Sequence, residues 1–195
     1  MSDPLDPQDD AATSLTEQER AELVPAWLTL RAELNEAEQD SIMEASEWAF
    51  ARRRNVLDER FLTELHRRMF GRVWRWAGEF RRTARNIGVD AYRIPSDLRQ
   101  LLDDCRFWID NETYEPGEIA VRFHHRLVQI HPFPNGNGRH ARMATDLLLI
   151  SLRKPGFSWG RTNLVDAGQT RQQYIEALRA ADGHDYGPLQ NFVRS

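Results

Sequence analysis

The chain has 195 residues, a formal net charge of −4 and a single cysteine. That length can bury one substantial core, and the acidic balance gives no bulk attraction to nucleic acid or to an anionic membrane. No stretch approaches the ~18 apolar residues of a membrane span, and the acidic N-terminus lacks the basic and apolar regions of a signal peptide. The expectation is a cytoplasmic protein without membrane contact, with Cys105 as a core thiol in a reducing compartment.

Residues 1 to about 15 are polar and broken by proline, so they read as loose. A first helix is expected over 37–54, where Ile42, Ala45, Trp48 and Ala49 mark one face, and a second over 57–74, where Phe61, Leu65, Met69 and Val73 recur every fourth residue. Between 78 and 95 the helical signal lapses. Phe80, Ile87, Val89, Tyr92 and Ile94 sit among arginines and Gly88, which predicts a short β-hairpin. Its arginines Arg81, Arg82, Arg85 and Arg93 could equally form a solvated edge that prevents aggregation.

Ser96 or Asp97 is placed to cap a third helix, whose Leu98, Leu101, Leu102, Cys105, Trp108 and Ile109 make an apolar stripe. A fourth should run over 116–130 with Ala120, Phe123, Leu127 and Ile130 inward. Another restarts at Arg139, carrying Met143, Leu147, Leu148 and Ile150, and a last one near 170–181 carries Tyr174, Ile175 and Leu178. The fold class is mostly α. His124 and His125 point in different directions on their helix, and no cysteine or carboxylate nearby completes a tetrahedral set, so zinc is not expected there. One of the pair should pack near the loop that follows and the other should face solvent.

That loop is the densest chemical signal in the chain. In His131-Pro-Phe-Pro-Asn-Gly-Asn-Gly-Arg-His-Ala-Arg142 the prolines break the preceding helix, and Gly136 and Gly138 allow positive φ, turning backbone N–H groups inward as an anion nest. The helix restarting there adds unpaired N–H donors and a positive dipole end, which suits phosphate. Arg139 and Arg142 lie three apart and can clamp different phosphates. His131, with an ordinary pKa of about 6.5, can act as a base near neutrality.

At these residues the chain resembles the Fic (Fic/Doc) family, whose signature is His-x-Phe-x-[Asp/Glu]-Gly-Asn-Gly-Arg-x-x-Arg. His131, Phe133, Gly136, Asn137, Gly138, Arg139 and Arg142 all fit it. The flanking Arg122-Phe-His-His-Arg126 and the Pro134-Asn135 pair resemble its mobile mystery protein B subgroup, found on bacterial mobile elements. The resemblance implies a Fic-like helical bundle over 37–195, preceded by an N-terminal extension over 1–36. It also implies transfer of AMP from ATP, with Mg²⁺ or Mn²⁺, to a Ser, Thr or Tyr hydroxyl of a target protein. His131 is then the catalytic base, and Gly136, Asn137, Gly138, Arg139 and Arg142 bind the nucleotide phosphates. Asn135 stands where the family has a metal-binding carboxylate. A neutral amide holds magnesium less firmly, by up to roughly 4 kcal/mol for one charge at 4 Å and an effective dielectric of 20.

In the family a hairpin flap stands over the site and pairs with an extended segment of the target by strand addition. That role falls on Arg85, Asn86, Ile87, Gly88, Val89, Asp90, Ala91 and Tyr92. An inhibitory helix in many relatives follows [Ser/Thr]-x-x-x-Glu-[Gly/Asn]. Thr29-Leu-Arg-Ala-Glu33 fits its first five positions, while Leu34 departs at the sixth, so the resemblance makes Glu33 an inhibitory residue that pairs with Arg142. Two competing classes follow from the same residues. A non-catalytic module would bind nucleotide and dock a regulatory partner without turnover. A nucleic-acid binder would use the hairpin arginines, against which the acidic net charge argues.

Overall fold

The computed structural model describes residues 15–25, 27, 30–161 and 167–195. The loose segment expected over 1 to about 15 thus lies outside the described residues but for Leu15, as does Thr29 of the inhibitory pattern. The described residues are mostly helical: α1 Glu17–Arg20, α2 Arg31–Phe50, α3 Glu59–Phe70, α4 Ile94–Asp110, α5 Pro116–Ile130, α6 Asn137–Ser151, α7 Ala167–Asp182 and α8 Gly187–Arg194. None of the helices is long and apolar enough to cross a membrane.

Most of the helices bury the stripe that their sequence periodicity marks, but α1 buries no residue and Ile150 of the expected α6 stripe is exposed. α2 and α3 pack on each other, α3 and α4 flank the central pair α5 and α6, and α7 and α8 form a second layer against α5. The main core joins Leu34, Ala45, Leu62, Leu65, Met69, Leu98, Cys105, Phe123, Leu127 and Leu148. A smaller one joins Val121, Trp159, Tyr174, Ala177, Leu189 and Phe192. A fully buried Leu or Phe contributes about 1.5–3 kcal/mol, so the central pair is held from both sides. Burial lifts the Cys105 thiol pKa to about 12, as expected of a core thiol.

Several boundaries differ from expectation for identifiable reasons. α2 starts and stops earlier than 37–54, because Arg54 turns back and donates to the Ala49 and Trp48 carbonyls at its end. α4 begins at Ile94, with Pro95 in its first turn, so neither Ser96 nor Asp97 caps it. Ser96 Oγ instead donates to Arg93 O at 2.8 Å, and Asp97 is buried between Arg93 and Arg126. α1 and α8 were not anticipated, being one turn and eight residues long. α1 carries a capping box between Thr16 and Glu19, and α8 has Pro188 in its first turn and Leu189, Phe192 and Val193 inward.

The segment over 78–95 is the larger correction. It forms no hairpin; a 3-10 turn at Ala91–Arg93 closes an irregular loop, and the described residues contain only an isolated bridge, between Leu23 and Trp74. The loop's backbone donors point elsewhere, Arg81 N to Pro132 O at 2.9 Å and Val89 N to Ile130 O at 3.4 Å, so no ladder closes within it. Of its arginines, Arg82 and Arg93 face solvent as expected and the other two do not. Arg81 is 2% exposed, and the Arg85 side chain is buried in an ion pair with Glu19 of α1.

Candidate active site

The motif loop is built on the junction of α5 and α6. His131 ends α5 in the left-handed conformation, φ 54° and ψ 60°, which a non-glycine residue adopts only when its surroundings impose it. Phe133 is the plug that holds the turn: it is fully buried, stacked on His66 at 3.7 Å and edge-on to His140 at 5.0 Å. Gly136 has φ 78°, and a Cβ there would come within 2.5 Å of the Phe70 ring, so glycine is required twice over. Asn137 closes the turn, its Oδ1 accepting from Phe133 N at 2.9 Å and its Nδ2 donating to Phe133 O at 2.8 Å.

That staple leaves the Asn137 side chain committed to the loop. What α6 offers a ligand is its first N–H groups, at Asn137, Gly138 and Arg139, which no helical carbonyl can satisfy; the first helical bond is His140 N to Gly136 O. A Cβ built on Gly138 would meet nothing within 4 Å, so that backbone is open to close approach.

These groups face one cavity of about 780 Å³, lined by His131, Asn135, Gly136, Asn137, Gly138, Arg139 and Arg142. Ile87 and Gly88 of the loop over 85–92 border it on one side, and Tyr174, Ile175, Leu178 and Asp182 of α7 on another. His131 is almost wholly buried. Loss of water around the ring, then the positive charges of Arg81 and Arg85, lower its pKa to about 4 against a smaller upward pull from the Val128 carbonyl. The imidazole is therefore neutral at pH 7.

The two motif arginines stand differently. Arg139 pairs with Glu38 of α2 at 2.6 Å and lies over the Phe70 ring at 4.8 Å. Arg142 lies over the Tyr174 ring at 4.5 Å, and its buried Nε has no hydrogen-bond partner among the described residues. Glu33, by contrast, accepts from Leu30 N at 3.2 Å in the first turn of α2.

Three supporting residues escaped the sequence reading. Glu38 is buried, accepting also from Trp74 Nε1 at 2.7 Å, and falls on the same α2 stripe as Leu34, Ser41 and Ala45. His66 lies on the buried stripe of α3; its Nδ1 accepts from Gly78 N at 3.0 Å, so its Nε2–H donates to Asn135 O at 3.0 Å. An acid and a histidine on otherwise apolar stripes were the available signals. Arg81, discussed below, had none. His124 and His125 are both buried, correcting the expectation that one faces solvent: His124 meets Tyr174 OH at 2.9 Å and His125 meets Asp182 at 2.8 Å.

Asn135 lines the cavity beside the turn. Its Oδ1 accepts from Gly136 N at 2.6 Å, and the described residues contain no group of three or more His, Cys, Asp or Glu able to hold a metal ion. The protein donors present do not form a cation cage, so any divalent ion here would be held chiefly by ligand phosphates and water.

Comparison with known proteins agrees with this geometry. A sequence model of the Fic/DOC family matches residues 56–149. The protein adenylyltransferase Fic of Drosophila grimshawi is 34% identical over 136 residues, covering 68% of this chain and 27% of that relative. That of Aedes aegypti is 31% identical over 136 residues, covering 68% of this chain and 26% of its own length. The chain thus spans about a quarter of the curated relatives it matches. Among solved structures, the BepC effector of Bartonella tribocorum with bound AMPPNP is 18% identical with a TM-score of 0.68, covering 92% of this chain and 97% of that one. Fic-1 from C. elegans is 23% identical with a TM-score of 0.66, covering 89% of this chain and 51% of that one. Motif, sequence match and helical arrangement together show that this chain carries a Fic/DOC family domain.

Proposed function

We propose that this protein is an adenylyltransferase that moves AMP from ATP to a Ser, Thr or Tyr hydroxyl of a target protein. The observation that carries the reading is one cavity holding a neutral buried His131, the open N–H groups that start α6 and an Arg142 whose Nε has no hydrogen-bond partner among the described residues. The names of the curated relatives point the same way. ATP lies with its α-phosphate against the Gly136–Gly138 turn, chiefly on the N–H groups of Asn137 and Gly138 because that of Gly136 is held by Asn135 Oδ1, and with Arg139 and Arg142 on its remaining charge. His131 takes the hydroxyl proton as that oxygen attacks the α-phosphorus, the bond to the β-phosphate breaks and pyrophosphate leaves. Donors fixed beforehand around the developing charge lower the barrier. Mg²⁺ or Mn²⁺, held chiefly by the ATP phosphates beside Asn135, would offset their charge.

The loop over 85–92 is the docking element for the target in this reading, and it borders the cavity through Ile87 and Gly88. We place the Fic-like unit at 37–195 and the extension at 1–36, a division of sequence that α2 itself crosses. The flanks of the motif suit the mobile mystery protein B subgroup, the free buried Cys105 suits a reducing, cytoplasmic setting, and a regulatory partner chain completes the reading. Glu33 is the proposed restraint in cis; unchanged ATP affinity and transfer in Glu33→Gly would remove it. The second reading is a nucleotide-binding pseudoenzyme, favoured by the neutral Asn135 whose Oδ1 is already engaged by Gly136.

Incubation with α-labelled ATP, Mg²⁺ or Mn²⁺ and bacterial lysate separates the two. Wild type is expected to label protein, and Asn135→Asp to label faster in Mg²⁺ by roughly tenfold, well inside the electrostatic ceiling for one added charge. ATP binding without label from either form, in both metals, would favour the pseudoenzyme.

A further inference from the structure

Arg81 joins the motif to the loop that borders the cavity. Its guanidinium is nearly removed from water, and its hydrogen bonds go to backbone carbonyls. Nε donates to His131 O at 2.7 Å, Nη1 to Thr83 O at 2.9 Å, and Nη2 to Val89 O and, at 3.4 Å, to Ile130 O. Gly88 seals the joint: with φ 103°, a Cβ there would stand 2.7 Å from both Arg81 Nη2 and His131 Cβ.

Burying a cation costs several kcal/mol, so a side chain kept only for packing would be cheaper if apolar. What a guanidinium adds is a rigid planar fork with five donors, able to reach carbonyls on two chain segments at once. A lysine presents three donors at one point and cannot span them. The carbonyls reached are those of His131 and its neighbour Ile130 on one side and of Thr83 and Val89 on the other.

We propose that Arg81 is a positioning residue: a single guanidinium fixes the backbone of His131 and the loop over 83–89 as one unit, so that the imidazole and the target-docking loop are set together. The kinetic arm of the test rests on the transferase reading; the exchange arm does not.

Arg81→Lys and Gly88→Ala are compared with wild type by calorimetric ATP binding, steady-state transfer, amide hydrogen exchange and urea denaturation. Gly88 is exposed and outside the core, so its variant keeps the test open if Arg81→Lys does not fold. Both variants should bind ATP within about threefold of wild type. Their kcat should fall roughly tenfold to hundredfold, the scale of a catalytic group displaced by about 1 Å. Exchange of the Val89 and neighbouring loop amides should speed up more than that of α3 and α4, and the strained alanine at φ 103° should lower the Gly88→Ala urea midpoint only slightly, without a change in core exchange. Wild-type kcat in both variants, or unchanged loop exchange, would overturn the proposal. So would ATP affinity and stability falling with kcat preserved, the pattern of a residue serving only the fold. If wild type itself transfers no label, the transferase reading fails, and loop exchange alone decides for or against Arg81.

Discussion

Replacement of His131 by Ala is expected to reduce AMP transfer by about 10²–10⁴-fold, the range for loss of a positioned general base. ATP affinity should stay within a few-fold, because the phosphate donors belong to α6 and to Arg142 rather than to the imidazole. The pH profile adds a sharper condition. With its pKa lowered to about 4, His131 stays unprotonated well below neutrality. kcat/KM should therefore remain nearly level from pH 8 to pH 6, where an unperturbed imidazole would already be about three-quarters protonated. The same shift weakens the base. An anionic nucleotide beside Arg139 and Arg142 counters it by offsetting positive charge, so the pKa seen in kcat should lie above that in kcat/KM. A His131→Ala protein with wild-type kcat would refute the base assignment, and a normal imidazole limb in kcat/KM would refute the burial argument.

Stability should fall steeply in mild acid. His66, His124, His131 and His140 are all buried, and desolvation is the first cause of each lowered pKa: well below the usual value for His66, to about 3 for His124 and to about 4 for the other two. Their hydrogen bonds agree with neutral rings. His66 Nδ1 accepts from Gly78 N–H, and a second proton there would set two donors face to face. Thr145 gives its hydroxyl proton to Ala141 O, so it can only accept from His124 Nδ1, leaving His124 Nε2 to accept from Tyr174.

The sign follows from linkage. Between the folded values and the unfolded value near 6.5, the unfolded chain binds more protons, so stability is present above pH 6.5 and is lost as pH falls toward 4. Each ring contributes roughly 1 kcal/mol per pH unit in that window, and the four together can consume several kcal/mol of a typical 5–15 kcal/mol. Urea midpoints at pH 7 and pH 5 measure this directly. His140→Gln, which keeps a donor within reach of Leu62 O, should flatten the slope at some cost at pH 7. Equal midpoints at the two pH values would contradict the account.

The parts legible in the sequence are those fixed by local periodicity and backbone stereochemistry. The helix expected over about 116–130 agrees with α5, because Pro116 opens it and the motif prolines close it; the Gly136 turn and the helix after it follow from glycine and proline alone. The inward stripes of α3 and α4 were equally plain, since an amphipathic face is a property of neighbouring residues.

Tertiary structure decided which polar groups meet across long separations. Glu38 reaches Arg139 from another helix, His66 reaches Asn135 across 69 residues, and Arg81 reaches His131 across 50. No local pattern encodes such pairs. It also overruled the hairpin: alternating apolar residues and Gly88 announce strand propensity, but the loop's donors found the Ile130 and Pro132 carbonyls instead of each other. Helices α2 to α7, the turn and the chemical inventory of the motif are legible in the sequence, because each depends on residues a few positions apart. The neutrality of His131, the pairing of Arg139 and the course of the loop were decided only on folding, because desolvation and hydrogen-bond choice depend on what the rest of the chain brings within about 3 Å.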